Sequence, residues 1–176
     1  PNIEQTNEHY DIDFDDYAIL MYHPVTTKAD KLDKNVSEVV DAVIESKMNY
    51  IVIDPNNDKG NEKILSEYER FKDNDRFRKY PSIRFEYFLT LLKNAKFIIG
   101  NSSAGIRESE VYGLPSINIG DRQEGRYSSN AIIDVKHDSE EIQDSIEKAR
   151  ELEIEPETHF GEGNSSEKFI EIFKTE

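Results

Sequence analysis

Apolar residues along the chain follow two alternating rhythms. Short continuous runs stand at 17–22 ("YAILMY"), 50–54 ("YIVID"), 96–100 ("KFIIG"), 115–120 ("PSINIG") and 130–135 ("NAIIDV"). Runs of this length, rich in branched residues and bounded by polar stretches, predict strands buried on both faces. Between them the apolar positions recur at helical spacing. Val36, Val39, Val40, Val43 and Ile44 share one face of 35–49, and Phe85, Phe88, Leu89 and Leu92 share one face of 84–95. Further helices are predicted over 60–74, over 104–113 with Gly113 as its end, over 139–152 with Ser139 as N-cap, and over 165–176. The stretch "FRKYPS" (77–82) reads as a weaker, exposed strand.

Strand and helix therefore alternate, which predicts an α/β domain: a parallel sheet with helices on both faces, spanning 17–176. Residues 1–16, polar and acidic, read as an opening segment outside the core. In such sheets ligands bind outside the carboxyl ends of the strands. The loops there are "HPVTT" (23–27), "PNNDKGN" (55–61), "NSSAG" (101–105) and "DRQEGR" (121–126).

Composition narrows the partners. The 176 residues carry a formal net charge of −15, so neither a nucleic-acid surface nor an anionic membrane is expected as a partner. The absence of cysteine excludes disulfides, thiolate catalysis and zinc–thiolate sites. No apolar run approaches the roughly 20 residues that span a bilayer. The chain opens on Pro-Asn-Ile-Glu, without a signal-peptide pattern or an initiator methionine. A cytoplasmic domain, cut from a longer or processed protein, is the expectation.

The stretch "FIIGNSSAGIRESE" (97–110) carries the most chemistry. A hydrolase elbow needs Gly-x-Ser-x-Gly, and Gly100 with Ser102 begin one, but position 104 is Ala. A Walker loop needs Gly-Lys-Ser/Thr, and Gly105 is followed by Ile106. Two readings remain. Asn and Ser before a helix are ordinary capping residues. Alternatively, free amides and the dipole at a helix start attract an anion. Ser102 and Ser103 would add hydroxyl donors, and Gly105 would allow close backbone approach. Without a lysine in the loop, Arg122 and Arg126 would compensate the charge. Glu108, farther along the helix, would repel a phosphate but could accept hydrogen bonds from a ribose diol; as a surface glutamate it needs no function. His23, at a strand end before Pro24, reads as a chemical candidate or a structural histidine, and Asn56 as a ligand contact or as turn chemistry alone.

The motifs "HPVTT", "PNNDKG", "IIGNSSAGIRESEVYGLPSINIGDRQEGR" and "GEGNSSEKF" closely resemble the carboxyl-terminal half of UDP-N-acetylglucosamine 2-epimerases. The likeness is to the hydrolysing branch that feeds sialic acid synthesis, and it runs from about residue 17 to the end. The resemblance implies a Rossmann-like domain, the second of a two-domain glycosyltransferase-B-type fold that holds a sugar nucleotide between its halves. It implies that His23 contacts the diphosphate–sugar region and assists its departure. By the same likeness Asn56 lies at the nucleotide side, Ser102 and Ser103 bind the diphosphate, Glu108 holds the ribose, and Arg122 neutralises phosphate; Arg126 matches the motif without a defined role. The implied reaction is elimination of UDP, then addition of water to a glucal-like intermediate, releasing N-acetylmannosamine. Non-hydrolysing relatives carry an Arg-Asp-Thr-Thr-Glu-Arg-Pro-like run where this chain has "GDRQEGRY". The expected partners are UDP, a UDP-N-acetylhexosamine and the N-terminal half of the same enzyme, with homo-oligomerisation left open and no cofactor or metal. UDP-N,N'-diacetylbacillosamine is an alternative substrate, and a glycosyltransferase-B-type nucleotide-sugar-binding domain an alternative function.

Overall fold

A computed structural model describes residues 1–26, 30–161 and 163–174. The buried runs form six parallel strands: β1 (Ala18–Met21), β2 (Tyr50–Ile53), β3 (Phe77–Tyr80), β4 (Ile98–Gly100), β5 (Ser116–Ile119) and β6 (Ile132–Val135). Their order across the sheet is β3-β2-β1-β4-β5-β6. The helices are α1 (Ile3–Tyr10), α2 (Leu32–Glu45), α3 (Asn61–Tyr68), α4 (Phe85–Asn94), α5 (Ala104–Val111), α6 (Ser139–Glu151) and α7 (Ser165–Lys174). The weak strand candidate is β3, an edge strand, which explains its polar, half-exposed residues.

Alternation along each strand divides the core in two. Ala18, Leu20, Tyr50, Val52 and Ile99 join the valines of α2 and Ile142 and Ile146 of α6 on one face. Ile19, Ile51, Ile53 and Ile98 join Phe88, Leu91 and Leu92 of α4 on the other. A strand that feeds both clusters must be apolar at consecutive positions, which is why these runs lack the polar alternation of a one-sided sheet.

Four expectations are corrected. Residues 1–16 do contribute to the core: Asn2 caps α1 in a reciprocal capping box with Gln5, α1 packs on α4, and Ile12 and Phe14 are buried. The apolar side of α4 turns at Phe88, Leu91 and Leu92, while Phe85 is 61% exposed. Helix α3 stops at Tyr68 and tightens into a 3-10 turn over Glu69–Phe71. Asp138, not Ser139, caps α6, its carboxylate accepting the Glu141 amide at 3.0 Å; an ionised cap gains more from the helix dipole than a hydroxyl does.

Candidate functional site

The sheet order reverses direction between β1 and β4, and ligands bind open α/β sheets at such a switch point. His23 follows β1 there and Asn101–Ser103 follow β4. Gly100 makes their close approach feasible. It lies at φ +139°, and a Cβ on it would stand 2.0 Å from the Met21 carbonyl oxygen, so only glycine fits.

Beyond Gly100, Asn101 is 1% exposed and engaged on every side. Its amide donates to the Met21 carbonyl at 3.1 Å. Its Oδ1 accepts the His23 amide at 2.7 Å, and its Nδ2 donates to the His23 carbonyl at 2.9 Å. Its own carbonyl accepts Arg122 Nη1 at 2.9 Å and Gln123 Nε2 at 2.8 Å. Two loops, one from β1 and one from β5, are thereby tied to the end of β4.

The imidazole of His23 is oriented as well. The Asn56 amide donates to its Nδ1 at 3.1 Å, so in the neutral ring the proton sits on Nε2. Burial, reinforced by the positive Arg122 and partly offset by Asp58, lowers the His23 pKa to about 4. At neutral pH His23 is therefore an uncharged hydrogen-bond donor. Burial and the neighbouring Arg126 lower the Arg122 pKa, with Asp58 opposing. Among the described residues, neither Arg122 nor Arg126 forms an ion pair with a carboxylate. Two arginines held near each other, neither in an ion pair among the described residues, make a local positive field suited to an anion in a chain of net charge −15.

A cleft of about 530 Å³ opens beside this point. His23, Asn56, Ser103 and Glu108 line it together, so the structure gathers these four expected residues. Glu108 presents a buried carboxylate oxygen, Oε2, without a hydrogen-bond partner. The outer wall is Pro81, Ile83 and the exposed ring of Phe85. Ser103 opens α5 without capping it, its side chain making no hydrogen bond to the helix start.

The other expected residues sit elsewhere. Ser102 Oγ accepts the Ala104 amide at 3.3 Å, so this serine caps the helix start. Gly105 does not open the backbone toward a ligand. A Cβ there would meet Ser116 Oγ at 2.5 Å, and its amide bonds the Ser102 carbonyl, so the glycine serves packing of α5 on β5. Arg126 lines a separate depression of about 620 Å³ over the ends of β5 and β6. That depression is the larger, but it lacks His23, Ser103 and Glu108, and the cleft at the switch point is the better candidate. Residues 27–29, which include the end of "HPVTT", lie outside the described residues.

Asn101, Gln123 and Phe85 belong to the site although sequence reasoning did not single them out. Asn101 had a signal, being a polar residue directly beyond a buried strand, and Gln123 had one in its place within the loop after another. Phe85 had a misleading one, since its spacing matches the core face of α4.

Strand order and the switch-point cleft define the class: a Rossmann-like α/β domain of the glycosyltransferase-B type. The sequence model for UDP-N-acetylglucosamine 2-epimerase matches residues 1–174, and the chain belongs to that family. The match takes in residues 1–16 as well. The chain is 43% identical to the UDP-N-acetylglucosamine 2-epimerase of Neisseria meningitidis serogroup B, over 98% of this chain and 46% of that protein. It is 29% identical to the UDP-N,N'-diacetylbacillosamine 2-epimerase (hydrolyzing) of Legionella pneumophila, over 96% of this chain and 45% of that one. The fold matches the Methanocaldococcus jannaschii UDP-GlcNAc 2-epimerase, solved in complex with UDP-GlcNAc and UDP, with TM-score 0.76 and 21% identity, over 98% of this chain and 49% of that one. The chain thus spans about half the length of the relatives it matches.

Proposed function

We propose that the chain is the UDP-binding half of a hydrolysing UDP-N-acetylglucosamine 2-epimerase, one that converts UDP-N-acetylglucosamine and water to N-acetylmannosamine and UDP. The observation that carries this reading is the neutral His23 beside the Arg122 guanidinium, both anchored at the switch point. Elimination places negative charge on the departing UDP, and donors fixed in advance on that charge lower its barrier. Arg122 supplies the positive charge, His23 Nε2–H and the Ser103 hydroxyl supply neutral donors, and Glu108 Oε2 accepts a ribose hydroxyl. Phe85 offers its exposed face to the uracil ring, since bases stack on aromatic platforms. The groups that move the proton at carbon 2 of the sugar belong to the N-terminal half. The apolar side of α7, where Phe169 and Ile172 are exposed, would face that half; the Phe173 side chain lies outside the described residues.

The hydrolysing outcome rests on "GDRQEGRY", which departs from the run of non-hydrolysing relatives, and on the hydrolysing Legionella relative. The acyl pattern of the sugar follows the Neisseria relative, the more similar of the two. Both are tested by supplying UDP-N-acetylglucosamine to a full-length protein carrying this chain and following products by NMR. Free N-acetylmannosamine with an equal amount of UDP is expected. Accumulation of UDP-N-acetylmannosamine without free sugar would overturn the hydrolysing reading.

Arg122→Ala is expected to weaken UDP binding about tenfold to a hundredfold, because a charge-assisted hydrogen bond contributes roughly 1.5–3 kcal/mol. Folding should survive, as Gln123 still satisfies the Asn101 carbonyl. Calorimetry on the two proteins measures the difference; an unchanged dissociation constant would return Arg122 to the role of a surface charge.

A further inference from the structure

We propose that Asn101 is a positioning residue, whose carboxamide holds His23 and whose main-chain carbonyl holds Arg122, so that imidazole and guanidinium meet one diphosphate from fixed directions. The proposal rests on the reading of His23 and Arg122 as contacts to a leaving diphosphate and adds the element that aligns them.

Burial decides between contact and positioning. At 1% exposure, with its amide, carbonyl and both side-chain polar atoms already bonded inside the protein, Asn101 has no free group for a ligand. Its chemistry also fits one task closely. Holding the His23 backbone by both its N–H and its C=O needs an acceptor and a donor on one short side chain. A carboxamide carries both, and the direction of each bond fixes which end is oxygen. Aspartate would set an oxygen against the His23 carbonyl, serine would reach one group only, and glutamine is a carbon too long. The strand itself cannot do this work, because β1 ends at Met21 and the chain beyond it is irregular. With the backbone of His23 clasped from β4, the Asn56 amide on Nδ1 sets the ring, and Nε2–H is aimed by two bonds from two different loops. The same residue's carbonyl receives Arg122 and Gln123, so a displacement at the end of β4 would move both diphosphate contacts together.

The groups facing His23 are Arg122 from the β5 loop and Asp58 from the β2 loop, with Asp54 and Glu108 in the walls of the same cleft. None of these side chains is removed in Asn101→Ala, so a change in His23 titration in that variant reports a changed placement of the imidazole relative to them. NMR of the 176-residue chain without nucleotide is the test. In the unsubstituted chain His23 should titrate well below the ordinary histidine range and hold the Nε2–H tautomer. In Asn101→Ala the midpoint should rise by roughly one pH unit or more toward 6.5, with loss of the single tautomer. A folded variant in which both signatures are unchanged would overturn the proposal, whatever its loss of thermal stability, and leave Asn101 a packing residue. If the variant does not fold, amide exchange in the unsubstituted chain decides. The His23 amide should be protected roughly a hundredfold or more through its bond to Asn101; exchange at the unstructured rate would overturn the proposal. No nucleotide enters these measurements, so a failure to bind UDP would sink the proposed function and leave this result standing on its own.

Discussion

Gly100→Ala is expected to leave the chain unfolded or close to it. Gly100 ends β4 opposite Met21 of β1, in the central strand pair of the sheet. At φ +139° an L-residue is strained wherever it stands, at about 1–3 kcal/mol. Here strain is the smaller part. The new Cβ would lie 2.0 Å from the Met21 carbonyl oxygen and 3.3 Å from the Tyr22 amide nitrogen, both backbone atoms that cannot rotate aside. Relief requires β1 and β4 to part, and Ile19, Leu20, Ile98 and Ile99, all essentially buried, pack along that seam. With about 5–15 kcal/mol of total stability in an ordinary domain, a combined loss of roughly 4 kcal/mol or more removes much of it. Urea unfolding followed by circular dichroism measures the effect. A loss below about 1 kcal/mol would mean that the two strands separate easily, and the anchoring of the site at their ends would fail with it.

His23→Ala, made in a full-length protein carrying this chain, is expected to lower kcat by about a hundredfold to a thousandfold, the usual cost of removing one fixed donor from a developing anion. KM should change only a few-fold, since the donor matters most where charge is greatest, in the transition state. The form of His23 sharpens this expectation. Its pKa near 4 makes it neutral in the free protein, so it contributes a hydrogen bond and not a full charge. The pH profile of kcat/KM should then show no His23 ionisation near 6.5. A fall in kcat/KM that comes from a higher KM, with kcat unchanged, would assign His23 to ground-state binding.

Much of this architecture is legible in the amino-acid order, because strands buried on both faces cannot hide their apolar runs. All five such runs became strands, and the valines of α2 point where their spacing puts them. The failures have separate physical causes. Phe85 has helical core spacing but sits at the first turn of α4, where the helix overhangs the cleft instead of the sheet. Residues 1–16 seemed too polar for a core, yet the eight-residue α1 docks with Ile3 and Tyr10 as its apolar contacts, and Ile12 and Phe14, just beyond it, are buried in the same cluster. Gly105 was legible as a special glycine, but not as one serving Ser116, since that contact joins residues distant in sequence. The "NSSAG" and "DRQEGR" loops were legible as a pair of candidates. That Asn101 binds them to each other, and to His23, depends on strand order across the sheet, which no local pattern encodes.

The central claim, that this chain holds the nucleotide of a UDP-sugar, is tested most directly by titrating the 176-residue chain with UDP and with GDP in a calorimeter. With only half of the cleft present, UDP should bind with a dissociation constant of roughly tens of micromolar to millimolar, about 4–6 kcal/mol, and more tightly than GDP. No binding of UDP, or equal binding of the two nucleotides, would contradict the account.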